Sequence, residues 1–344
     1  MKLETHRSKL FACLGSLLLL GGSGTAETCV TQSQMQPVER AALVDAAQSL
    51  SLKLKANDQA GIRTATIPEF TNNFSGIASS VTSTAPKITN DTPEIEQVYI
   101  LDATSNKANS DGSMPEADFV CTLNKGSGEA DFNIPALPPG RYGFVIVQFT
   151  GSSPWMVSML LRQDADGGAW KLAGLFPKES SAAGHDGLWY WGQGRASSAA
   201  KQPFVAYIYY QQAQQLLRPA PFVSSTHLES LRAESSQAVQ PEIGDEVSRD
   251  TPLIVKSAGG VEYRFVALGP DDSLHKEKLD VVARLLLDPS VTDQAAATKL
   301  SREATLALLT QHPELRPNFH GVWVFAEASG RTVATVESPM EEIR

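Results

Sequence analysis

A short segment, residues 184–191, holds the side chains best suited to chemistry. His185 and Asp186 stand side by side between two glycines, and three aromatic residues follow within the segment. A histidine oriented by a carboxylate can act as a general base, so hydrolysis at His185 is one hypothesis. Because adjacent side chains point apart, a second interpretation is that Asp186 caps a helix and that the aromatic rings pack inside the protein.

The aromatic residues of this region are candidates for contact with a ligand or a partner. The candidates are Trp189, Tyr190, Trp191, Tyr207 and Tyr210. Tyr207, Tyr209 and Tyr210 cover more than one face of a predicted helix. At least one of these rings is therefore expected to face solvent or another surface.

The sequence lacks the motifs by which common reaction classes are recognised. It contains no G-x-S-x-G, H-E-x-x-H, C-x-x-C or glycine-rich phosphate loop. The spacing of His275, His312 and His320 matches no metal-ligand pattern, so surface or helix-cap positions are expected. Residues 164–168 (DADGG) predict a hairpin turn, because Trp170 stands where a calcium loop continues with ligands. No metal and no cofactor are predicted.

Composition limits the class of protein. The chain has 344 residues, of which 42% are hydrophobic, enough for at least one substantial core and against general disorder. Its 38 acidic and 29 basic residues give a formal charge of −9. Nucleic-acid binding normally requires a basic surface, so no nucleic-acid partner is expected.

The N-terminal residues 1–26 have the pattern of a secretory signal peptide. Basic residues precede an apolar run, Leu10–Leu20, which is too short to span a bilayer, and small residues lead to a cleavage site after Ala26. The signal resembles bacterial ones, so the protein is expected to be exported, either periplasmic or secreted. No later stretch is apolar enough to predict a transmembrane segment in the mature chain.

Two cysteines, Cys29 and Cys121, remain after removal of this signal. An oxidising compartment favours disulfides, and two cysteines allow a single intramolecular pairing. The sequence therefore predicts a Cys29–Cys121 disulfide.

The helices and strands predicted from the sequence indicate a multidomain chain of the α+β class. Residues 27–178 combine a helical segment with an antiparallel β domain. The first helix begins near Pro37 and carries an apolar stripe formed by Leu43, Ala46 or Ala47, Leu50 and Leu54. A shorter stripe follows at 74–81, and a Ser/Thr-rich stretch leads out of it. Six strands are then predicted: VYILDA, FVCTL, ADFNI, YGFVIVQF, WMVSMLL and AWKLAGLF.

Two architectures stay open for this β domain. The polar insert 104–116 and the turn at Pro138-Pro139 favour a β-sandwich. The last strand, Gly168–Phe176, resembles the final strand of cone-shaped domains of the nuclear-transport-factor-2-like type. That resemblance implies an N-terminal helical layer packed on a curved antiparallel sheet.

Residues 179–236 predict an αα-hairpin with helices near 188–200 and 204–217. Gly194, Ala206, Tyr210 and Ala213 have the spacing of the small and aromatic positions of a tetratricopeptide repeat, so segment 186–219 resembles one such repeat. Tyr190 stands where that repeat has Trp, and no second copy is found, so an ordinary αα-hairpin is the alternative. Residues 222–250 predict a helix tail that runs into a linker at 237–250.

Residues 251–344 predict a separate α+β domain of order ββααββ. Hairpins are predicted across Gly259-Gly260 and across Ser329-Gly330. Between them lie two predicted helices, the first from about residue 273, with Leu274, Val281, Val282, Leu285 and Leu286 on one side.

Three functions are compatible with these features. The first is an exported, non-enzymatic binding or envelope-assembly protein whose partner is another envelope or extracellular protein. The second is a small-molecule carrier with an apolar pocket within residues 36–178, between the helices and the curved sheet. The third is a hydrolase that uses His185.

Overall fold

The computed structural model describes residues 28–122, 128–238, 247–275 and 277–343, and the predicted signal peptide lies outside them. The chain is a mixed α+β protein, as predicted. Its first helix begins at Pro37, and the predicted stripe of Leu43, Ala47, Leu50 and Leu54 is buried. The N-terminal helices are α1 (Pro37–Lys55), α2 (Gln59–Thr64), α3 (Pro68–Thr71) and α4 (Ser75–Ile88).

A five-stranded antiparallel sheet, here called the large sheet, lies against these helices. All six predicted strands form, and a short strand, β1, precedes them. The seven strands are β1 (Thr28–Thr31), β2 (Thr92–Asp102), β3 (Ala117–Thr122), β4 (Glu129–Ile134), β5 (Arg141–Thr150), β6 (Trp155–Gln163) and β7 (Trp170–Glu179). Five of them form the large sheet, and β3 and β4 belong to a second sheet. The large sheet has the order β1-β2-β5-β6-β7. Residues 164–168 turn the chain from β6 into β7, as predicted.

A smaller sheet covers part of the opposite face of the large sheet. It has the order β10-β4-β3, where β10 is Val223–Ser225. One apolar core fills the space between the helices and the large sheet, and a second fills the space between the two sheets. The unit therefore has three layers: helices, large sheet and small sheet.

The predicted disulfide is present and joins the two sheets. Cys29 in β1 is bonded to Cys121 in β3, with the two Cα atoms 5.4 Å apart. Because β1 is an edge strand of only four residues, the bond holds the start of the described chain onto the second core.

The second half of the chain places helices on a mixed five-stranded sheet, here called the C-terminal sheet. After a two-residue pair of strands, β8 (Ser181–Ala182) and β9 (His185–Asp186), the predicted hairpin forms. The helices are α5 (Gly187–Ala199), α6 (Pro203–Leu217), α7 (Thr226–Ala238), α8 (Gln294–Gln311) and α9 (Leu315–Asn318). The strands, in spatial order, are β11 (Leu253–Lys256), β12 (Glu262–Asp271), β13 (Asp280–Leu286), β14 (Gly321–Ala328) and β15 (Arg331–Pro339). One core joins the hairpin to this sheet.

The helix predicted from about residue 273 is wrong, because this segment forms strand β13. β13 lies between β12 and β14, and the side chains of Val281, Ala283 and Leu285 are fully buried. A short apolar run fits helical and strand spacing equally well, so periodicity alone does not separate them. The order is therefore βββααββ. β13 and β14 are parallel, and α8 and α9 supply the crossover that parallel strands require.

Two other boundaries differ from the expectation. Segment 222–250 is not only a helix tail and linker, since β10 pairs with β4 before α7 begins, and residues 239–246 lie outside the described ones. Helix α4 continues through the Ser/Thr-rich stretch to Ile88, because Val81, Thr84, Ala85 and Ile88 are buried against the large sheet. Within the described residues, the helices are too short or too polar to cross a bilayer.

Candidate functional site

A cleft of about 690 Å³ lies where the large sheet, the small sheet and the helical hairpin meet. Strands β2, β5 and β6, together with Phe132 of β4, supply its floor. The rest of β4 and β10 supply one wall, and the ends of α5, α6 and α7 supply the other. The helices of the first half pack on the opposite face of the large sheet, where they leave a continuous core. The cleft therefore lies on the face of the large sheet that is turned away from these helices, and the sequence did not indicate a pocket there.

The floor of the cleft is aromatic and fixed by its neighbours. Phe132 packs edge-to-face against Tyr99 and Phe144, with ring centroids 5.1 Å apart in both pairs. Phe144 in turn packs against Phe222 at 5.7 Å. Phe132 and Phe144 are almost fully buried, so these rings are held by the core beneath the cleft. Such a floor is formed before any ligand arrives.

One end of the cleft is polar. The side-chain amide of Gln148 donates a hydrogen bond to Glu96 over 2.9 Å, and the hydroxyl of Tyr99 donates one to Gln97. Burial, together with the negative charge of Glu96, raises the pKa of Tyr99 to about 12. The Tyr99 hydroxyl is therefore a neutral hydrogen-bonding group at physiological pH, and Glu96 is the charged group of this end.

The opposite wall is aliphatic. It is formed by Leu188, Leu216, Leu217 and Leu228, which come from the three helices. Leu188 is 63% exposed and lies at the opening, whereas Leu216 and Leu228 are buried. The cleft is thus apolar on its floor and on this wall, and hydrogen-bonding groups are concentrated at one end.

His185 and Asp186 do not form a base–carboxylate pair. Asp186 caps helix α5, since its Oδ1 accepts a hydrogen bond from the backbone N–H of Trp189 over 2.8 Å. The ring of His185 stacks flat on Trp189, with centroids 3.7 Å apart. The two side chains therefore serve different contacts, and both are exposed. Gly187 supplies the close approach of α5 to Leu217.

Most of the other predicted contact residues are buried within the chain. Tyr190 donates from its hydroxyl to the carbonyl of Ala182 over 2.8 Å, and burial raises the pKa of this tyrosine. The rings of Tyr207, Tyr209 and Tyr210 are all buried, because 10 of the 15 residues of α6 are enclosed by neighbouring helices and the C-terminal sheet. The expectation that at least one of these rings faces solvent or another surface is therefore wrong, because all three pack in the core of the chain itself.

One of the predicted residues remains accessible, since Trp189 is 37% exposed. Trp191 is buried, but it lines the cleft. The indole N–H of Trp191 donates to Glu234 over 2.7 Å, and the guanidinium of Arg195 lies over its ring at 4.5 Å. Arg195 also makes a two-bond ion pair with Glu234, which lowers the pKa of this carboxyl. These contacts fix α5 to α7 beside the cleft.

The close contact of the two hairpin helices depends on Gly194. A Cβ atom at this position would lie 2.8 Å from the ring of Tyr210. The small residue and the ring thus meet as the spacing of a tetratricopeptide repeat implies, although one contact does not distinguish that repeat from an ordinary αα-hairpin.

Substitution of the helix cap tests the role assigned to Asp186. We expect Asp186→Ala to lower the free energy of unfolding by about 1 kcal/mol, because the N–H of Trp189 loses its acceptor. Asp186→Asn keeps an acceptor oxygen and should stay close to the wild type. Urea denaturation of the three proteins measures the difference. Equal losses for both variants would contradict the capping role.

The histidines of the C-terminal part of the chain fall into two groups. His312 ends helix α8 as its C-cap, and its ring lies against Phe204. His275 and His320 instead converge with Asp280 and Glu337 near the ends of three strands. The sequence separations of these four residues follow no repeat, so only the sheet topology brings them together.

Comparison with known proteins gives no relative from which a function could be transferred. No protein-family model matches the chain, and no significant match was found among curated proteins or among solved structures. The geometry of the cleft and of the side-chain clusters is therefore the basis for a functional proposal.

Proposed function

We propose that this chain is an exported, non-enzymatic binding protein that takes up a small ligand in the cleft. The cleft itself is the observation that carries the proposal. Its volume of about 690 Å³ falls in the range typical of small-molecule sites, and such sites combine apolar walls with a few placed polar groups. This location replaces the pocket expected between the N-terminal helices and the sheet.

The chemistry of the walls suggests the ligand class. An aromatic floor and an aliphatic wall suit an apolar body, and burial of that body would supply most of the binding free energy. The polar end offers the amide of Gln148 and the carboxylate of Glu96. With a net charge of −9 on the whole chain, a neutral or cationic head group is favoured over an anionic one.

Export is the second part of the proposal. It is supported by the signal-like residues 1–26, whose structure lies outside the described residues, and by the disulfide between Cys29 and Cys121. A disulfide persists most readily in an oxidising compartment. A periplasmic or secreted location accommodates both features.

The geometry does not favour catalysis at His185. Asp186 is engaged by the helix N-terminus, and the imidazole of His185 is stacked on Trp189. Assembly with another envelope or extracellular protein is the competing binding function, since Leu188 and Trp189 are exposed at the start of α5. The experiment on the cleft distinguishes this competing function from small-ligand binding.

Binding of N-phenyl-1-naphthylamine, a neutral apolar fluorophore, tests the cleft directly. We expect saturable binding to the wild type and at least a tenfold loss of affinity in Leu217→Glu, because a charge then stands on the apolar wall. Leu52→Glu is the matched control, since Leu52 is 53% exposed on α1, away from the cleft. This variant should bind the probe like the wild type.

Competition separates the possible head groups. Dodecylamine and dodecanol are expected to displace the probe more strongly than dodecanoate does, because Glu96 repels an anion. Absence of probe binding by the folded wild type would contradict the proposal, as would equal binding by Leu217→Glu. Capture of a protein partner that depends on Leu188 or Trp189, with no probe binding, would establish assembly instead.

A further inference from the structure

A cluster of two histidines and two carboxylates lies at one edge of the C-terminal sheet. Its members are His275 in the β12–β13 loop, Asp280 at the start of β13, His320 just before β14, and Glu337 in β15. One potential ligand atom from each residue lies within 4.8 Å of the corresponding atoms of the other three. We refer to these four residues as the His/carboxylate cluster.

Sheet register explains why the four residues meet. Strands β13 and β14 are parallel, with Val281 opposite Val322, so Asp280 at the start of β13 lies beside His320, which directly precedes β14. β15 runs antiparallel to β14, and Glu337 lies opposite Trp323. The start of β14 and the end of β15 are thereby brought to the same edge. The loop before β13 adds His275.

Within the cluster each histidine faces one carboxylate. Nδ1 of His320 lies 3.0 Å from Oδ1 of Asp280, and Nε2 of His275 lies 3.0 Å from Oε1 of Glu337. The two imidazole rings lie against each other, with centroids 3.5 Å apart. The four polar groups therefore surround one small volume.

Asp280 provides an independent indication of a ligand. Its side chain is fully buried, and its Oδ2 has no hydrogen-bond partner among the described residues. A buried carboxylate oxygen without a partner costs free energy, and native proteins rarely leave one unsatisfied. A cation coordinated by Asp280 would remove this cost.

We propose that the His/carboxylate cluster binds one transition-metal dication, with Zn²⁺ as the best match. Imidazole nitrogen together with carboxylate oxygen is a ligand set that zinc accepts, whereas Mg²⁺ and Ca²⁺ prefer sites made only of oxygen. Tetrahedral zinc with bonds of about 2.1 Å holds its ligand atoms about 3.4 Å apart. The ligand atoms here lie within 4.8 Å of one another, so small side-chain adjustments would close the site.

The character of the site follows from its four protein ligands. A complete set of four ligands is typical of structural zinc, which joins chain segments rather than activating a substrate. Here the ion would tie the β12–β13 loop to β14 and β15. His275 is 39% exposed and Glu337 is 36% exposed, so an ion can enter from that side. This proposal is independent of ligand binding in the cleft.

Titration of the metal-free, untagged full chain with Zn²⁺ tests the site. Competition with a chromophoric chelator should show one bound ion, and Mg²⁺ and Ca²⁺ should not displace it. His275→Gln and His320→Gln are each expected to weaken binding by at least about a hundredfold, because a ligand is lost. His312→Gln is the matched control, since His312 lies outside the cluster and should leave the affinity unchanged.

Co²⁺ provides a readout of ligand geometry. Substitution of Co²⁺ should give the visible absorption of a tetrahedral complex in the wild type, and this absorption should disappear in His275→Gln. Circular dichroism verifies that each variant is folded; His275 is partly exposed, so its substitution should not unfold the chain. Absence of Zn²⁺ binding by the wild type, or equal affinity in the double variant His275→Gln/His320→Gln, would overturn the proposal.

Discussion

Loss of the Cys29–Cys121 disulfide is expected to lower the free energy of unfolding by about 4 kcal/mol. The bond joins residues 92 positions apart, so it removes a large part of the conformational freedom of the unfolded chain. It also holds β1, a four-residue edge strand, beside the core between the sheets. Without the bond, β1 would be retained chiefly by its ladder with β2.

Urea unfolding of the wild type with and without reductant measures this effect. The double variant Cys29→Ser/Cys121→Ser should unfold at the midpoint of the reduced wild type, and reductant should leave that variant unchanged. Equal midpoints for oxidised and reduced wild type would contradict the expectation. Mass spectrometry of protein from its own compartment verifies the oxidised pair and tests cleavage after Ala26.

Truncation of Phe132 is expected to have an effect of similar size. Phe132 is 1% exposed and contacts the rings of Tyr99 and Phe144 across the two sheets. Phe132→Ala removes these contacts and leaves a void beneath the cleft, at a cost of about 3–5 kcal/mol. Because the cleft floor is lost with the ring, affinity for the naphthylamine probe should fall as well.

Two control variants separate packing from general effects of mutation. Phe132→Leu keeps part of the volume and should cost less than Phe132→Ala. Val120→Ala alters a neighbouring strand of the small sheet, but Val120 is 62% exposed, so its free energy of unfolding should change by less than about 0.5 kcal/mol. A loss below about 1 kcal/mol in Phe132→Ala would show that the ring does not hold the two sheets together.

Elements with strong local signals could be predicted from the sequence. The stripe of α1, the alternating strands β3 and β4, the helix cap at Asp186 and the turn at Ser329-Gly330 depend on neighbours in sequence. The turn needs positive φ at both central residues, which the structure has. In such cases propensity and hydrophobic period point to the same element.

Elements fixed by distant contacts could not be predicted in this way. β10 has only three residues and becomes a strand because β4 offers it a ladder. The tyrosines on more than one face of α6 predict a partly exposed helix, whereas the helix is buried. Residues 204–210 include no charged side chain, which is typical of a helix buried on all sides. That feature was the available signal for its position.

The two candidate sites illustrate the same limit. The cleft is formed by residues from 96 to 228, which meet only after the sheets and the hairpin have packed. In the His/carboxylate cluster, gaps of 5, 40 and 17 positions separate the four residues. These sequence separations follow no helical or strand period, so the sequence pattern does not show that the four residues meet. Strand order and parallel pairing create the site, and the sequence did not reveal β13 as a strand.

The pairing of β10 with β4 also constrains the order in which the chain can fold. During synthesis from the N-terminus, β4 emerges about 90 residues before Val223–Ser225, the segment that completes its outer edge. Until then the small sheet carries an open ladder that can recruit another nascent chain. Before β10 forms, the N-terminal half therefore carries an unpaired strand edge that can pair with other chains. β10 of the same chain later covers this edge.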